Sequence, residues 1–198
     1  MKGEKGERRK QELLKIAYRL FLKKGYEETS VDDIIAEAQI AKGTYYYYFP
    51  SKEAALGEVI NMMISSEVKK ADAVLSAPIP VPQKLVGIIT SLRPGQDEGN
   101  IADVLNRPEN ILMHEKTDKR IVAEAVPLLA KAVYEGIEQG LFNCDHVEER
   151  VKMIIIMSQS LFGGDSFTMG DIKVFIDIAE KTLGAKPGTL EFIRGLIN

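Results

Sequence analysis

The chain of 198 residues has few of the features that mark secreted, membrane or metal-binding proteins. Its one cysteine, Cys144, excludes an internal disulfide and a zinc site built from several cysteines. The longest apolar runs, such as residues 153–157, are too short to cross a bilayer, and the charged N-terminus lacks the apolar stretch of a secretory signal. We therefore expect a protein of the reducing cytoplasm.

The sequence also lacks the motifs that carry catalysis. It has no glycine-rich phosphate loop with its lysine, no Gly-x-Ser-x-Gly motif and no His-Glu-x-x-His motif. The two histidines, His114 and His146, are about thirty residues apart. The adjacent Cys144, Asp145 and His146, with Glu148 nearby, lack the spacing of a metal site, and no second cluster completes the ligands. We predict neither an enzyme nor a bound metal or cofactor.

Charge is distributed unevenly along the chain. Residues 1–52 hold eleven Lys or Arg against eight Asp or Glu, whereas residues 53–198 hold fifteen against twenty-one. A basic end on an acidic body suits a protein that offers one region to phosphates and keeps the rest away from them.

Nearly every segment has the period of an α-helix and none alternates as a strand, so the sequence predicts an all-α fold. The proline cluster at residues 78–82 is the clearest break, and further breaks are predicted at residues 94–95 and 163–164. The predicted helices include residues 7–24, 41–48, 52–76, 83–93, 100–106, 118–139, 146–162, 171–183 and 189–196.

Residues 29–52 are predicted to form a helix-turn-helix. Thr29 or Ser30 can cap the first of its helices, and Pro50 ends the second. In the second helix, Tyr45 and Phe49 are four residues apart, so both can anchor on the neighbouring helices.

The remaining side chains of this second helix suit contact with DNA. Lysine and hydroxyl groups bind phosphates and base edges, and Gly43 allows close approach of the backbone. Four consecutive tyrosines point all around a helix, so they cannot all belong to the core. The candidate contact residues are Lys42, Thr44, Tyr46, Tyr47 and Tyr48.

This segment resembles the tetracycline-repressor (TetR) family of bacterial transcription regulators. The resemblance covers about the first 60 residues, and beyond them only the length and the helical pattern agree. Two positions depart from the family: Gln39 replaces the usual turn glycine, and Ala41 replaces a common capping serine or threonine. The matching residues are Phe21, Gly25, Tyr26, Thr29, Ile34, Ala38, Lys42, Gly43, Thr44, Tyr46, Tyr47, Tyr48, Phe49, Ser51, Lys52 and Glu53.

The resemblance implies a fold and a set of DNA contacts. A three-helix DNA-binding domain over residues 1–50 would be joined by a long fourth helix to a helical effector-binding and dimerisation domain over residues 51–198. Thr29 and Lys52 would hold phosphates. Lys42, Gly43, Thr44 and Tyr46 would lie nearest the bases, with Tyr47 and Tyr48 nearer the backbone.

The implied function is that of a homodimeric repressor, released from its DNA operator by a small apolar effector. The alternative is a helical ligand-binding or interaction protein whose helix-turn-helix is not used on DNA.

Two helices of the body have apolar stripes on two sides, as expected of helices buried on two sides. Residues 146–162 carry one stripe that includes Val151 and a second that includes Met153. We predict that these helices pair with their copies in a dimer, as the resemblance implies, although filling the interior of a monomer would also explain them. The predicted interface residues are Met153, Ile156, Ser160, Ile172, Phe175 and Ile176.

Methionines in the body suit an adaptable apolar pocket, although plain core packing is the commoner use. The candidate ligand-binding residues are Met63, Met113, His114 and Met157, with His114 as the polar group. A solvated or structurally bonded histidine remains the alternative for His114. The resemblance implies a cavity enclosed by helices 4 to 8, with an effector that shifts helix 4 and so changes the separation of the two recognition helices.

Overall fold

A computed structural model of the chain describes residues 2–93, 98–162 and 167–197. All regular structure in these ranges is helical, which confirms the predicted all-α fold. The α-helices are α1 (Lys2–Lys24), α2 (Val31–Ala38), α3 (Lys42–Tyr48), α4 (Lys52–Leu75), α5 (Val81–Ser91), α6 (Gly99–Leu105), α7 (Ile111–Glu138), α8 (Val147–Phe162), α9 (Met169–Leu183) and α10 (Arg194–Ile197). Short 3-10 helices at Pro108–Asn110 and Glu191–Ile193 lead into α7 and α10.

Several helix ends differ from the predicted ones. Helix α5 begins inside the proline cluster, at Val81, because Pro80 serves as its N-cap and Pro82 lies in its first turn, where no backbone donor is needed. Helix α7 begins at Ile111 instead of residue 118, because the 3-10 turn from Pro108 runs directly into it. The breaks predicted at residues 94–95 and 163–164 lie outside the described residues. Within the described ranges, no helix combines the length and apolarity needed to cross a membrane.

The chain divides into two compact units. The first comprises the described residues of 1–66 and 94–118, and the second those of 67–93 and 119–198. Helices α4 and α7 each contribute residues to both units. The functional boundary after residue 50 stays a prediction.

The first unit has its own apolar core, built on one face of α1. Leu13 and Phe21 from α1 are fully buried, as are Ile34 from α2 and Leu56 from α4. The start of α6 belongs to the same unit, because the Tyr18 hydroxyl donates to the Glu98 carboxylate at 2.6 Å. Helix α2 and the start of α6 therefore pack against α1.

The second unit packs α5, α7, α8 and α9 around a larger apolar cluster that includes Ile88, Ala132 and Ile172. Across α5 and α7, the Lys84 ammonium forms an ion pair with Glu135 at 2.6 Å. Each of these helices therefore buries one stripe inside the unit.

Candidate nucleic-acid interface

Side-chain capping supports the start of α2 but not the start of α3. Ser30 is the N-cap of α2: its hydroxyl accepts from the Asp33 amide at 3.0 Å, and the Asp33 carboxylate accepts from the Ser30 amide at 2.8 Å. Gln39 ends α2 in the left-handed conformation, with φ 51° and ψ 50°. Ala41 begins α3 without a side-chain cap. At the two positions that depart from the family pattern, Gln39 thus adopts a backbone conformation that favours glycine, and α3 lacks a side-chain cap.

Helix α3 is held from behind by two buried aromatic side chains. Tyr45 and Phe49 are 0% and 1% exposed, and the Tyr45 hydroxyl donates to the Ser51 carbonyl at 3.4 Å. Burial raises the pKa of Tyr45 to about 12. The predicted inward role of these two residues is confirmed.

The opposite side of α3 is open to solvent. Tyr46 and Tyr47 are 45% and 82% exposed, and a Cβ added at Gly43 would meet nothing within 4 Å. The Lys42 side chain is also exposed, with its Nζ 3.4 Å from Asp32 Oδ1. We call the surface formed by Lys42, Gly43, Thr44, Tyr46 and Tyr47 the outward face of α3.

Tyr48 lies beside this face and is partly buried. Its ring meets that of Tyr47 edge-on, with the centroids 5.0 Å apart. A Cβ added at Gly6 of α1 would lie 3.9 Å from the Tyr48 hydroxyl. The structure therefore brings together all six α3 residues predicted to contact DNA, with Tyr48 at the edge nearest α1.

The two predicted phosphate contacts outside α3 are placed differently. Thr29 is fully buried, and its hydroxyl donates to the Gly25 and Leu20 carbonyls at 2.7 and 3.3 Å. Lys52 is partly buried: its Nζ donates to the Tyr26 carbonyl at 3.0 Å and lies 4.2 Å from the centre of the Tyr26 ring. Burial, followed by the charge of Glu53, raises the pKa of Tyr26.

Three of the four predicted ligand-binding residues lie in the first unit. The methyl group of Met113 would be 4.0 Å from a Cβ added at Gly57, and His114 Nδ1 lies 3.3 Å from Asp118 Oδ2. Met63 is partly buried in the same unit, whereas Met157 belongs to the second.

The second unit contains a small apolar cavity of about 60 Å³. The predicted ligand-binding residues are not among those lining it. Sequence reasoning missed this cavity because its aliphatic lining resembles any other part of a helical core. The lining residues include Leu85 of α5, Leu129 of α7, Ile154 of α8, Leu183 of α9, and Leu190 and Phe192 near the C-terminus.

Helices α8 and α9 both expose large apolar side chains. On α8, Met153 is 67% exposed, and together with Ile156 and Ser160 it lines a shallow surface groove. On α9, Met169, Val174 and Ile178 are exposed.

The three predicted interface residues of α9 are not exposed, unlike those of α8. Ile172, Phe175 and Ile176 are buried in the core of the second unit. Their stripe faces the interior, and the other stripe of α9 faces solvent.

No group of three or more metal-ligating side chains occurs among the described residues, which include Cys144, Asp145 and His146. Arg150 holds this segment by donating to the Asp145 carboxylate at 2.7 Å and to the Thr182 carbonyl at 2.8 Å. The cluster noted in the sequence thus has a structural use in joining α8 to the end of α9.

Comparison with known proteins identifies the helix-turn-helix segment. The profile of a family described as bacterial regulatory proteins, tetR family, matches residues 13–59. The transcriptional repressor DhaR of Mycobacterium sp. strain GP1 is 27% identical over 155 residues, which are 75% of this chain and 77% of DhaR. The uncharacterized regulator YuxN of Bacillus subtilis is 49% identical over 49 residues, 25% of this chain, and the match spans only 17% of YuxN.

Solved structures extend the likeness of fold to almost the whole chain. RolR in complex with resorcinol has a TM-score of 0.60 at 18% identity, covering 99% of this chain and 96% of RolR. A transcriptional regulator from Saccharomonospora viridis in complex with choline has a TM-score of 0.53 at 19% identity, covering 96% of this chain and 93% of its own.

Proposed function

Because this chain belongs to the TetR family of helix-turn-helix transcriptional regulators, we propose that it is a homodimeric repressor that binds an operator in double-stranded DNA through the outward face of α3. The observation that carries the proposal is the pair of exposed tyrosines on a short helix anchored by Tyr45 and Phe49. A helix braced in this way can enter the major groove without losing its support.

The proposed contacts follow from position on α3. Lys42 is the first residue of the helix, and the N-terminal residues of a recognition helix contact base edges. Gly43, Thr44 and Tyr46 are proposed to lie near the bases as well. Tyr47 and Tyr48 are proposed to lie nearer the sugar–phosphate backbone of the DNA. Threonine and tyrosine hydroxyls are suitable donors to phosphate oxygens.

Lys52 and Thr29 contribute in separate ways. Lys52 keeps its proposed phosphate contact, since an ammonium group that donates to two backbone carbonyls can still offer a third proton. For Thr29, whose hydroxyl is buried and bonded, we propose a positioning role in place of the predicted phosphate contact. It would fix the segment that leads into α2.

The homodimer is proposed from the exposed apolar side chains of α8 and α9. We place Met153, Ile156 and Ser160 of α8 in the interface, together with Val174 and Ile178 of α9. Exposed apolar surface of this kind marks protein–protein contacts. Two copies would present their α3 helices to half-sites about 34–36 Å apart, one turn of DNA.

The proposed effector is a small, uncharged apolar molecule. The cavity of the second unit is lined by aliphatic and aromatic side chains, so a buried charged group would have no partner there. RolR has been crystallised with resorcinol, a small uncharged molecule, whereas the choline bound by the S. viridis regulator is a cation that this lining would not suit. Effector contacts at Met63, Met113, His114 and Met157 stay separate proposals, because none of these residues lines this cavity. Since α4 runs continuously from Lys52 to Leu75, we propose that effector binding acts on DNA affinity through this helix.

Members of this family regulate transcription rather than catalyse reactions, and we propose the same for this chain, without a cofactor. A DNA-binding regulator of a bacterial gene would act in the cytoplasm. The alternative, a helical ligand-binding or interaction protein that does not use its helix-turn-helix on DNA, requires the outward face of α3 to have no role.

Selection of bound duplexes from random DNA by the purified protein tests the proposal. We expect inverted half-sites centred one helical turn apart, and affinity that falls steeply with salt, with a slope of about −0.9 per neutralised phosphate in log–log form. No enrichment, or an affinity insensitive to salt, would favour the alternative.

A further inference from the structure

Two neighbouring aspartates in the first turn of α2 have different partners. Asp33 closes the capping box with Ser30 and also forms an ion pair with Lys24 at 2.8 Å. Asp32 points elsewhere: its side chain is 76% exposed, and its Oδ1 lies 3.4 Å from Lys42 Nζ on α3. A carboxylate of α2 and the first side chain of the recognition helix therefore form a pair of opposite charges at one solvent-exposed position.

The pair between Asp32 and Lys42 contributes little to the stability of the fold. An exposed ion pair typically contributes about 0–1 kcal/mol, and any acidic residue in a helical first turn interacts favourably with the dipole. Against DNA, a carboxylate beside the groove-facing lysine opposes the approach of phosphates. That repulsion weakens binding unless the carboxylate meets a hydrogen-bond donor on the DNA.

The major groove offers such a donor beside an acceptor for lysine. Guanine presents the acceptors O6 and N7, and its partner cytosine presents the N4 amino group. Guanine O6 and cytosine N4 are hydrogen-bonded to each other in the base pair, so they lie about 3 Å apart. This separation is close to the 3.4 Å between Lys42 Nζ and Asp32 Oδ1.

We propose that Asp32 and Lys42 together read one G·C base pair in each half-site. Lys42 Nζ donates to guanine O6 or N7, and the Asp32 carboxylate accepts from cytosine N4. Asp32 is thus a specificity-determining residue, located on α2 and outside the outward face of α3. The inference rests on the proposed function, because it requires α3 to lie in the major groove.

The test compares wild type, Asp32→Ala and Asp32→Asn on a selected operator and on its single base-pair variants, each changed in both half-sites. Wild type should prefer G·C at one position by on the order of tenfold or more. Asp32→Ala should keep only the part of that preference that Lys42 supplies through guanine, and its preferences at other positions should be unchanged. Asp32→Asn should shift the preference from G·C toward T·A at this position, with adenine in place of cytosine, because an amide side chain pairs with adenine N6 and N7.

Glu37→Gln is the matched control. Glu37 is another exposed carboxylate of α2, paired with Arg19 at 2.5 Å. Its neutralisation should leave the base preferences unchanged. Thermal unfolding of each variant shows that the fold is retained.

Two results would overturn the proposal. If Asp32→Ala binds every variant more tightly by the same factor, the carboxylate only repels phosphate. If its base preferences equal those of wild type, Asp32 reads nothing. Failure of the proposed function would look different, because wild type itself would then bind no selected duplex.

Discussion

Tyr45 and Tyr46 are neighbours of identical chemistry that have opposite uses. Tyr45 is completely buried and its ring meets Phe49, whereas Tyr46 is about half exposed. The two rings are nevertheless in edge-on contact, with centroids 5.4 Å apart. The 100° step of a helix separates them, so one tyrosine holds the recognition helix while the next is presented to a partner.

At the same scale, Asp33 makes stability depend on pH. Its hydrogen bond from Lys24, followed by those from Ser30, holds the pKa of this carboxyl well below its usual range. A carboxyl with a lowered folded-state pKa stabilises the fold above its ordinary value of about 3.9, and that contribution is lost as pH falls further. Asp33→Asn should therefore be less stable than wild type at pH 7, by a margin that shrinks below about pH 4.

Urea unfolding at pH 7, 5 and 3 measures that margin. Asp32→Asn, the same change one residue earlier, leaves the capping box intact and should show little pH-dependent difference from wild type. A margin for Asp33→Asn that stays constant or widens in acid would contradict the assignment.

Among the helices, α3 is short and has no side-chain cap at its N-terminus. Gln39 adopts φ 51°, where a side chain is strained, and Ala41 offers no capping oxygen. Gln39→Gly should relieve strain and stabilise the protein by about 0.5–1 kcal/mol. Ala41→Ser should add a cap worth about 1 kcal/mol.

Both gains can be measured as shifts of the urea midpoint at neutral pH. Gln39→Ala keeps the Cβ and Ala41→Val adds bulk without an oxygen, so neither control should stabilise. Equal midpoints for Gln39→Gly and Gln39→Ala would show that the turn is not strained.

The sequence predicts these elements well where two signals agree. In α3, the spacing of Tyr45 and Phe49 and the stop at Pro50 together indicated both the helix and its inward side. In the capping of α2, Thr29 and Ser30 were equivalent by residue type. Tertiary contacts separate them, since the Thr29 hydroxyl bonds into the turn after α1 and the Ser30 hydroxyl accepts from α2.

Periodicity fails where a helix has two similar stripes. In α9, one stripe contains Ile172, Phe175 and Ile176, and the other contains Val174 and Ile178. The period shows that two sides are apolar, but only the packing of the second unit shows which side is covered within one chain. The pairing of Asp32 with Lys42 likewise depends on the angle between α2 and α3, which spacing does not give.

For the whole molecule, the proposed dimer gives the exposed residues of α8 and α9 a common role. Met153→Glu and Val174→Glu each place a charge among these apolar side chains and should yield monomers, because a buried unpaired charge is costly. Operator affinity should fall by about tenfold or more when two half-sites can no longer be bound together.

Sedimentation of wild type and variants measures this assembly. Leu112→Glu is the control, since Leu112 is 70% exposed but lies in the first unit on α7. It should remain dimeric. A monomeric wild type, or dimers for both variants of the second unit, would remove this interface.

The central claim is that exposed tyrosine on α3 binds DNA, and one matched pair of variants tests it most directly. Tyr46 and Tyr134 are 45% and 48% exposed, but Tyr134 lies on α7 in the second unit. Affinity for a selected duplex should fall by about tenfold or more in Tyr46→Ala and stay within about twofold in Tyr134→Ala. Equal affinities for the two variants would contradict the claim.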